Sequence, residues 1–203
     1  MRRILAATLS LSLLVLCAVA SAEAQESTTR GFNVGIHATG ASLVVEDNDR
    51  SNAGGGGLWI GYGFNNTVQL FAQADAAQFD VQDATVEGDW TLAHADLGVR
   101  FHFANSLRSY VPYLQAAVTA RAVTVQNGVL NDVAQAEDIS LIGGGITLGG
   151  GIVFHFNESL GLDLQLLWTG GKFTQLDVGS VTIGDLDIDA RSARFNIGLS
   201  WWP

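Results

Sequence analysis

Residues 192–202 read Ser-Ala-Arg-Phe-Asn-Ile-Gly-Leu-Ser-Trp-Trp, and apolar side chains occupy every second position of most of this stretch. The apolar positions are Ala193, Phe195, Ile197, Leu199 and Trp201, and the positions between them are Arg194, Asn196, Gly198 and Ser200. Successive side chains of a β-strand point to opposite faces. A period of two therefore predicts a strand with one apolar face and one polar face.

The same period recurs along the chain, while the 3.6-residue period of an amphipathic helix is absent after residue 24. Eight strands are predicted, at about residues 31–41, 55–64, 68–79, 90–103, 111–123, 140–156, 160–168 and 192–202. Short connections alternate with long polar ones at residues 44–54, 80–89, 126–139 and 169–191. This alternation predicts an antiparallel up-and-down meander, an all-β fold.

The polar face carries charges of both signs and many small residues. The charged members are Arg100, Arg121, Arg194, Asp75, Asp96 and Asp163. Eight strands enclose an interior that is just wide enough to be filled by side chains. The sequence therefore predicts an eight-stranded transmembrane β-barrel with the apolar face toward lipid and these six side chains in a lumenal charge network. Which arginine meets which aspartate depends on the stagger of the strands and stays open.

Aromatic residues gather near both ends of the predicted strands. One group lies at the short turns and comprises Tyr62, Phe64, Phe101, Phe103, Tyr110, Phe154, Phe156 and Trp201; the other lies near the long connections and comprises Phe79, Trp90 and Trp168. Two such groups are typical of the aromatic belts at the two membrane interfaces.

The first 24 residues have the features of a secretory signal peptide. Arg2 and Arg3 precede an apolar run at residues 4–20, and small residues follow up to Ala24. We expect cleavage after Ala24, which divides the chain into a signal peptide (1–24) and a barrel domain (25–203). The single cysteine, Cys17, would leave with the peptide.

Composition and motifs argue against several functions. The 203 residues include 10 Lys+Arg and 20 Asp+Glu, a net charge of −10 that disfavours nucleic-acid binding. The glycine-rich run at residues 143–151 completes no phosphate-binding motif, and we expect its glycines to face a crowded lumen. Four dispersed histidines form no metal motif and are expected to make lumenal hydrogen bonds: His37, His94, His102 and His155. Neither a cofactor nor a Ser/His/acid catalytic set is predicted.

The final strand and the overall pattern resemble a known family. The run of Phe195, Ile197, Leu199 and Trp201 near the carboxyl end resembles the terminal assembly signal of outer-membrane barrel proteins, although Trp202 and Pro203 follow it here. The chain from residue 25 onward is similar to the small OmpA/OmpX-type barrels. This resemblance implies a bacterial outer-membrane location, contact with membrane lipid and lipopolysaccharide, and insertion by the barrel-assembly machinery. Some members of the family carry a peptidoglycan-binding module after the barrel, and we expect none here.

Three functions are compatible with this architecture. The first is a non-enzymatic barrel with a structural, adhesive or loop-mediated binding role, whose external ligand is not identified. The second is a narrow porin or an uptake route for small solutes, and the third is a soluble secreted ligand-binding barrel. The acidic long connections either bridge to lipopolysaccharide through Ca²⁺ or Mg²⁺ or are simply solvated.

Overall fold

A computed structural model describes residues 29–45, 51–79, 86–103, 109–130, 137–179 and 181–203. These residues form strands β1 (Gly31–Val45), β2 (Ser51–Gly63), β3 (Val68–Phe79), β4 (Val86–His102), β5 (Tyr110–Leu130), β6 (Glu137–His155), β7 (Leu160–Val178), β8 (Val181–Ile183) and β9 (Ile188–Trp201). No helix in this part of the chain is long and apolar enough to cross a membrane. The predicted signal peptide lies outside the described residues and stays a prediction.

The strands close into a ring, as the sequence predicts. Each strand from β1 to β7 pairs antiparallel with the next, and β9 pairs with both β7 and β1. The three-residue strand β8 pairs only with the end of β7 and extends the last hairpin. The wall therefore contains eight strands, and the predicted eight-stranded antiparallel barrel is confirmed.

The strands are longer than predicted at the end where the long connections lie. β7 continues to Val178 and β9 begins at Ile188, so most of the connection predicted at residues 169–191 is hairpin. β1 and β2 likewise extend into the predicted connection at residues 44–54. The predicted strand bounds were too short there because the apolar outer face was used to delimit the strands. A strand that has left the membrane faces water and keeps its ladder of backbone hydrogen bonds.

The outer wall is apolar over most of its height. Large side chains on every wall strand are 36–66% exposed, and they include Ile36, Leu58, Leu70, Leu97, Val118, Ile146, Leu166 and Ile197. The predicted belt at the short turns is also on this face, with Tyr62, Phe101, Phe103 and Trp201 each about half exposed. The assignment of the apolar face to the outside is therefore correct, and the fold does not suit a soluble barrel.

Part of the predicted second belt is wrong. Trp168 is 49% exposed on the outer wall, but Phe79 and Trp90 face inward and pack on an apolar cluster inside the barrel. Both belong to the inward-facing set of their strands, because Asp75 on β3 and His94 on β4 lie an even number of residues away and are buried. The prediction was based on their position near a strand end. The alternation of side chains along each strand instead places both rings in the interior.

Two lumenal glycines make room for large rings. An added Cβ at Gly35 would overlap the buried indole of Trp59, and one at Gly151 would lie 2.6 Å from the hydroxyl oxygen of Tyr113. These approaches are closer than any side chain allows, so the glycines let the aromatic rings fill the narrow interior. The expectation that the glycines at residues 143–151 face a crowded lumen is met at Gly151, but it is wrong for Gly144, which is exposed on the outer wall with Ile146.

A charge on the outer wall tests the membrane face directly. Leu164 lies on β7 midway between Leu160, near the short turns, and Trp168. Leu164→Arg is expected to lower the free energy of unfolding by roughly 2–4 kcal/mol, the cost of arginine at the bilayer midplane. Urea titration in phospholipid vesicles measures the change.

The matched control is Thr174→Arg, which places the same residue on the exposed part of β7 beyond the apolar band. We expect that variant to stay within about 0.5 kcal/mol of the parent chain, as surface substitutions usually do. Equal effects of the two changes would contradict the lipid-facing assignment of Leu164.

Candidate functional site

The lumen contains a buried ion cluster centred on Arg194. One guanidinium nitrogen lies 2.7 Å from a carboxylate oxygen of Asp75, and another lies 2.9 Å from Asp96. The second nitrogen also donates to the hydroxyl oxygens of Thr147 and Thr169, at 3.2 and 3.1 Å. Strands β3, β4, β6, β7 and β9 are thereby joined across the interior. All the charged side chains are almost completely shielded from solvent.

Threonine hydroxyls extend the cluster around the inner wall. Thr119 donates to Asp96 at 2.6 Å, and its oxygen is 2.6 Å from that of Thr147, which is in turn 2.7 Å from Thr169. Thr147 and Thr169 are cross-strand partners on β6 and β7, whereas Thr119 on β5 is opposite Gly145 and contacts Thr147 diagonally. The hydroxyls satisfy both the carboxylate and the guanidinium, as buried ions require.

His94 and Ser192 complete the cluster on its upper side. The Nε2 atom of His94 is 3.0 Å from the Ser192 hydroxyl, and its Nδ1 atom is 3.5 Å from Asp75. Serine, histidine and aspartate thus meet in the order of a hydrolytic triad, which the sequence did not predict. However, all three residues are at most 5% exposed, and Asp75 is already bound by Arg194. The group is sealed inside the wall and forms part of the packed polar layer.

A second ion pair lies closer to the short turns. Arg100 is 3.3 Å from Asp163 and donates to Gln115 at 2.8 Å. Asp163 also accepts hydrogen bonds from the Tyr113 hydroxyl at 2.7 Å and from Gln165 at 3.0 Å. Three side chains, those of Arg100, Tyr113 and Gln165, therefore surround one buried carboxylate.

Aromatic rings enclose the Arg100 guanidinium. Its central carbon lies 4.5–5.0 Å from three ring centroids, those of Trp59, Phe71 and Tyr113. Such contacts stabilise a desolvated cation through the negative faces of the rings. Trp202 then packs edge-on against Trp59 at 6.4 Å, so the residue that directly follows β9 closes this end of the lumen.

The structure does not bring Arg121 to a carboxylate. No ion pair involving this side chain is formed by the described residues, and Arg121 instead donates to the backbone oxygen of Ala190 at 3.0 Å and stacks on Phe173 at 4.7 Å. Arg121 is the cross-strand partner of His94, and Arg194 already pairs with both Asp75 and Asp96. The expected pairing of all three arginines with aspartates is therefore wrong for this one.

The four histidines are all buried in the lumen. The expected hydrogen bonding holds for His94, whereas His37, His102 and His155 have no hydrogen-bond partner among the described side chains and backbone. His102 packs beside the Tyr113 ring at 5.5 Å, and His155 lies 4.9 Å from the Trp202 ring. Aromatic packing thus takes the place of two of the expected bonds. Within the described part of the chain, no group of three potential metal ligands comes together.

The apolar end of the lumen forms the third layer. Its buried members are Ala41, Leu43, Ala77, Leu92, Val123, Phe173 and Ala190. This layer lies above Arg194 and Arg121, toward the long connections. We call it the apolar cap. From the short turns upward, the interior is filled by the Arg100 aromatic layer, the Arg194 cluster and the apolar cap.

The residues that resemble a terminal assembly signal lie together on the outer face of β9. Phe195, Ile197, Leu199 and Trp201 are 46–52% exposed there. Their arrangement presents one apolar stripe to the membrane, and a role in assembly stays a prediction.

An apolar outer wall, aromatic side chains and a polar lumen together define a bacterial outer-membrane β-barrel. The chain belongs to the outer membrane protein beta-barrel domain family, whose profile matches residues 11–201. No curated protein is significantly similar to the chain in sequence.

Solved structures share the fold at low sequence identity. Neisserial surface protein A is 15% identical with a TM-score of 0.61, covering 84% of this chain and 96% of its own. OprG from Pseudomonas aeruginosa is 14% identical with a TM-score of 0.60, covering 87% and 98%. Ail, the attachment invasion locus protein of Yersinia pestis, in complex with the heparin analogue sucrose octasulfate, is 15% identical with a TM-score of 0.57, covering 85% and 99%.

Removal of the central arginine tests the ion cluster. Arg194→Ala leaves Asp75 and Asp96 buried without their cation, and breaking a buried pair costs ~3–5 kcal/mol. The free energy of unfolding in vesicles is expected to fall by that amount. Arg191→Ala, which removes an exposed arginine from the same strand, serves as the control and is expected to have little effect. Similar losses for both variants would show that Arg194 is not the centre of the network.

The sealed serine gives a separate prediction. We expect the folded barrel to resist labelling of Ser192 by a fluorophosphonate reagent, because the hydroxyl is buried and no substrate can approach it. Intact-mass spectrometry of the reacted protein measures the adduct, and Ser192→Ala provides the background. An adduct that forms on the parent chain and is lost in this variant would reveal a reactive triad.

Proposed function

We propose that this protein is a non-enzymatic barrel with a closed lumen, which anchors its long hairpins at the cell surface for a structural or binding role. The filling of the interior by three successive layers carries this proposal. Short turns face the periplasm and long connections face outward in outer-membrane barrels. The apolar cap therefore lies on the extracellular side, and the Arg100 layer on the periplasmic side.

The Arg194 cluster disfavours a water-filled pore. Arg194 spans the interior between Asp75 and Asp96 on one side and Thr169 on the other. Opening a channel at this level would separate Arg194 from Asp75 and Asp96. These groups are shielded from water, and their contacts with one another replace their hydration. Conduction therefore requires breaking contacts that hold the barrel together.

Of the two alternatives in which the lumen opens, the apolar cap favours an uptake route for small solutes over a porin. A cap of this composition could admit an apolar molecule from outside, but the Arg194 cluster lies directly beneath it. Passage through the full lumen would then require displacement of the ion pairs. Closure is the better-supported proposal.

The negative charge at the extracellular end of the barrel restricts the kind of ligand that can bind there. Asp185, Asp187 and Asp189 are exposed on the last hairpin, and the other long connections also contain more acidic than basic residues. The Yersinia protein was crystallised with a polyanionic heparin analogue. An acidic surface repels such a ligand, so we infer that a partner of this protein is neutral, cationic or bound through divalent cations.

Conductance in a planar bilayer tests the closed lumen. The purified barrel is expected to give no steady open level, and liposomes containing it are expected not to swell in a permeant sugar. Insertion is verified by the difference in gel mobility between heated and unheated samples. A steady open level from verified barrels would overturn the proposal in favour of the pore.

A further inference from the structure

A groove of about 550 Å³ lies on the outer wall where β6, β7 and β9 adjoin. Its apolar part includes Ile146, Leu148 and Trp168. The Trp168 ring extends over Gly170, so that an added Cβ at this glycine would lie only 2.7 Å from the ring. The absence of a side chain at Gly170 therefore keeps the groove open beside the indole.

Two basic residues, Arg191 and Lys172, and one acidic residue, Asp189, line the polar end of the groove. Arg191 is the cross-strand neighbour of Gly170, and Lys172 lies two residues farther along β7. Lys172 is bound by Asp187 and is 3.9 Å from Asp189. Arg191 is exposed and makes no ion pair with any described residue. Within the described part of the chain, these are the only exposed basic side chains at the extracellular end.

The residues along the groove change from apolar to charged in the same direction in which a lipid changes from acyl chain to headgroup. Trp168 is typical of a residue at the membrane interface, with the apolar band below it and Arg191 and Lys172 at headgroup height. The surrounding surface is acidic, so an anionic headgroup is repelled elsewhere on this end of the barrel. Charge complementarity therefore favours one position for a phosphate, beside Arg191.

We propose that this groove binds a phosphorylated, acylated glycolipid of the outer leaflet. An acyl chain would lie against Trp168 and Gly170, and a phosphate would accept hydrogen bonds from Arg191, because the charge of Lys172 is already compensated by Asp187 and Asp189. The proposal rests on the orientation of the barrel in the membrane and not on closure of the lumen. A leaking barrel would therefore leave it intact.

Titration of the detergent-solubilised barrel with diphosphoryl lipid A, followed by native mass spectrometry, tests the site. Arg191→Ala is expected to weaken binding about tenfold, the loss of one charge-assisted hydrogen bond, and Arg191→Lys is expected to retain most of the affinity. Gly170→Leu fills the groove and should also weaken binding. Arg30→Ala, an exposed arginine at the periplasmic end, is the matched control and should bind as the parent does.

Three results would overturn the proposal: equal binding of phosphatidylglycerol and lipid A to the parent barrel, unchanged binding by Arg191→Ala, and loss of binding in EDTA. The last result would place the phosphate on a divalent cation held by the aspartates instead of on Arg191. Each variant is first shown to be folded by its gel mobility without heating. If Gly170→Leu does not fold, Gly170→Ala replaces it.

Discussion

Hydrocarbon offers no hydrogen-bond partner to a backbone amide, so every strand of a membrane-spanning sheet needs a neighbour on both sides. β9 provides this condition by pairing with β7 and β1 at once. Closure with eight strands fixes a narrow interior, and the side chains that point inward have to fill it. The polar lumen, its glycines and its enclosed arginines are all consequences of this one requirement.

A narrow lumen also determines how its charges are stabilised. Arg194 has two carboxylates and two hydroxyls within hydrogen-bond distance, whereas Arg100 has one carboxylate and three aromatic rings. Arg121 has a backbone oxygen and a ring. The three arginines thus show three ways to compensate a buried guanidinium. The Arg194 arrangement links the most strands and is the most sensitive to loss of a partner.

The sequence predicts which face each residue occupies far better than which residue it meets. A period of two places Arg100, Asp163 and Arg194 inside without any knowledge of the stagger between strands. The contact between His94 and Ser192 joins residues 98 positions apart, and only the closed register brings them together. The resemblance to an assembly signal likewise gave no indication that Trp202, beyond the expected terminus, turns inward to pack on Trp59.

The last hairpin shows where the membrane ends. Below Trp168 the outer residues are apolar and the inner ones polar, as at Leu166 and Gln165. Above it this polarity is reversed, since Lys172 and Asp189 face outward while Phe173 is completely buried. Water outside the barrel then favours an apolar core, as in a soluble protein. The apolar cap is therefore the interior of the part that leaves the membrane, and its presence follows from the change of solvent around the same continuous strands.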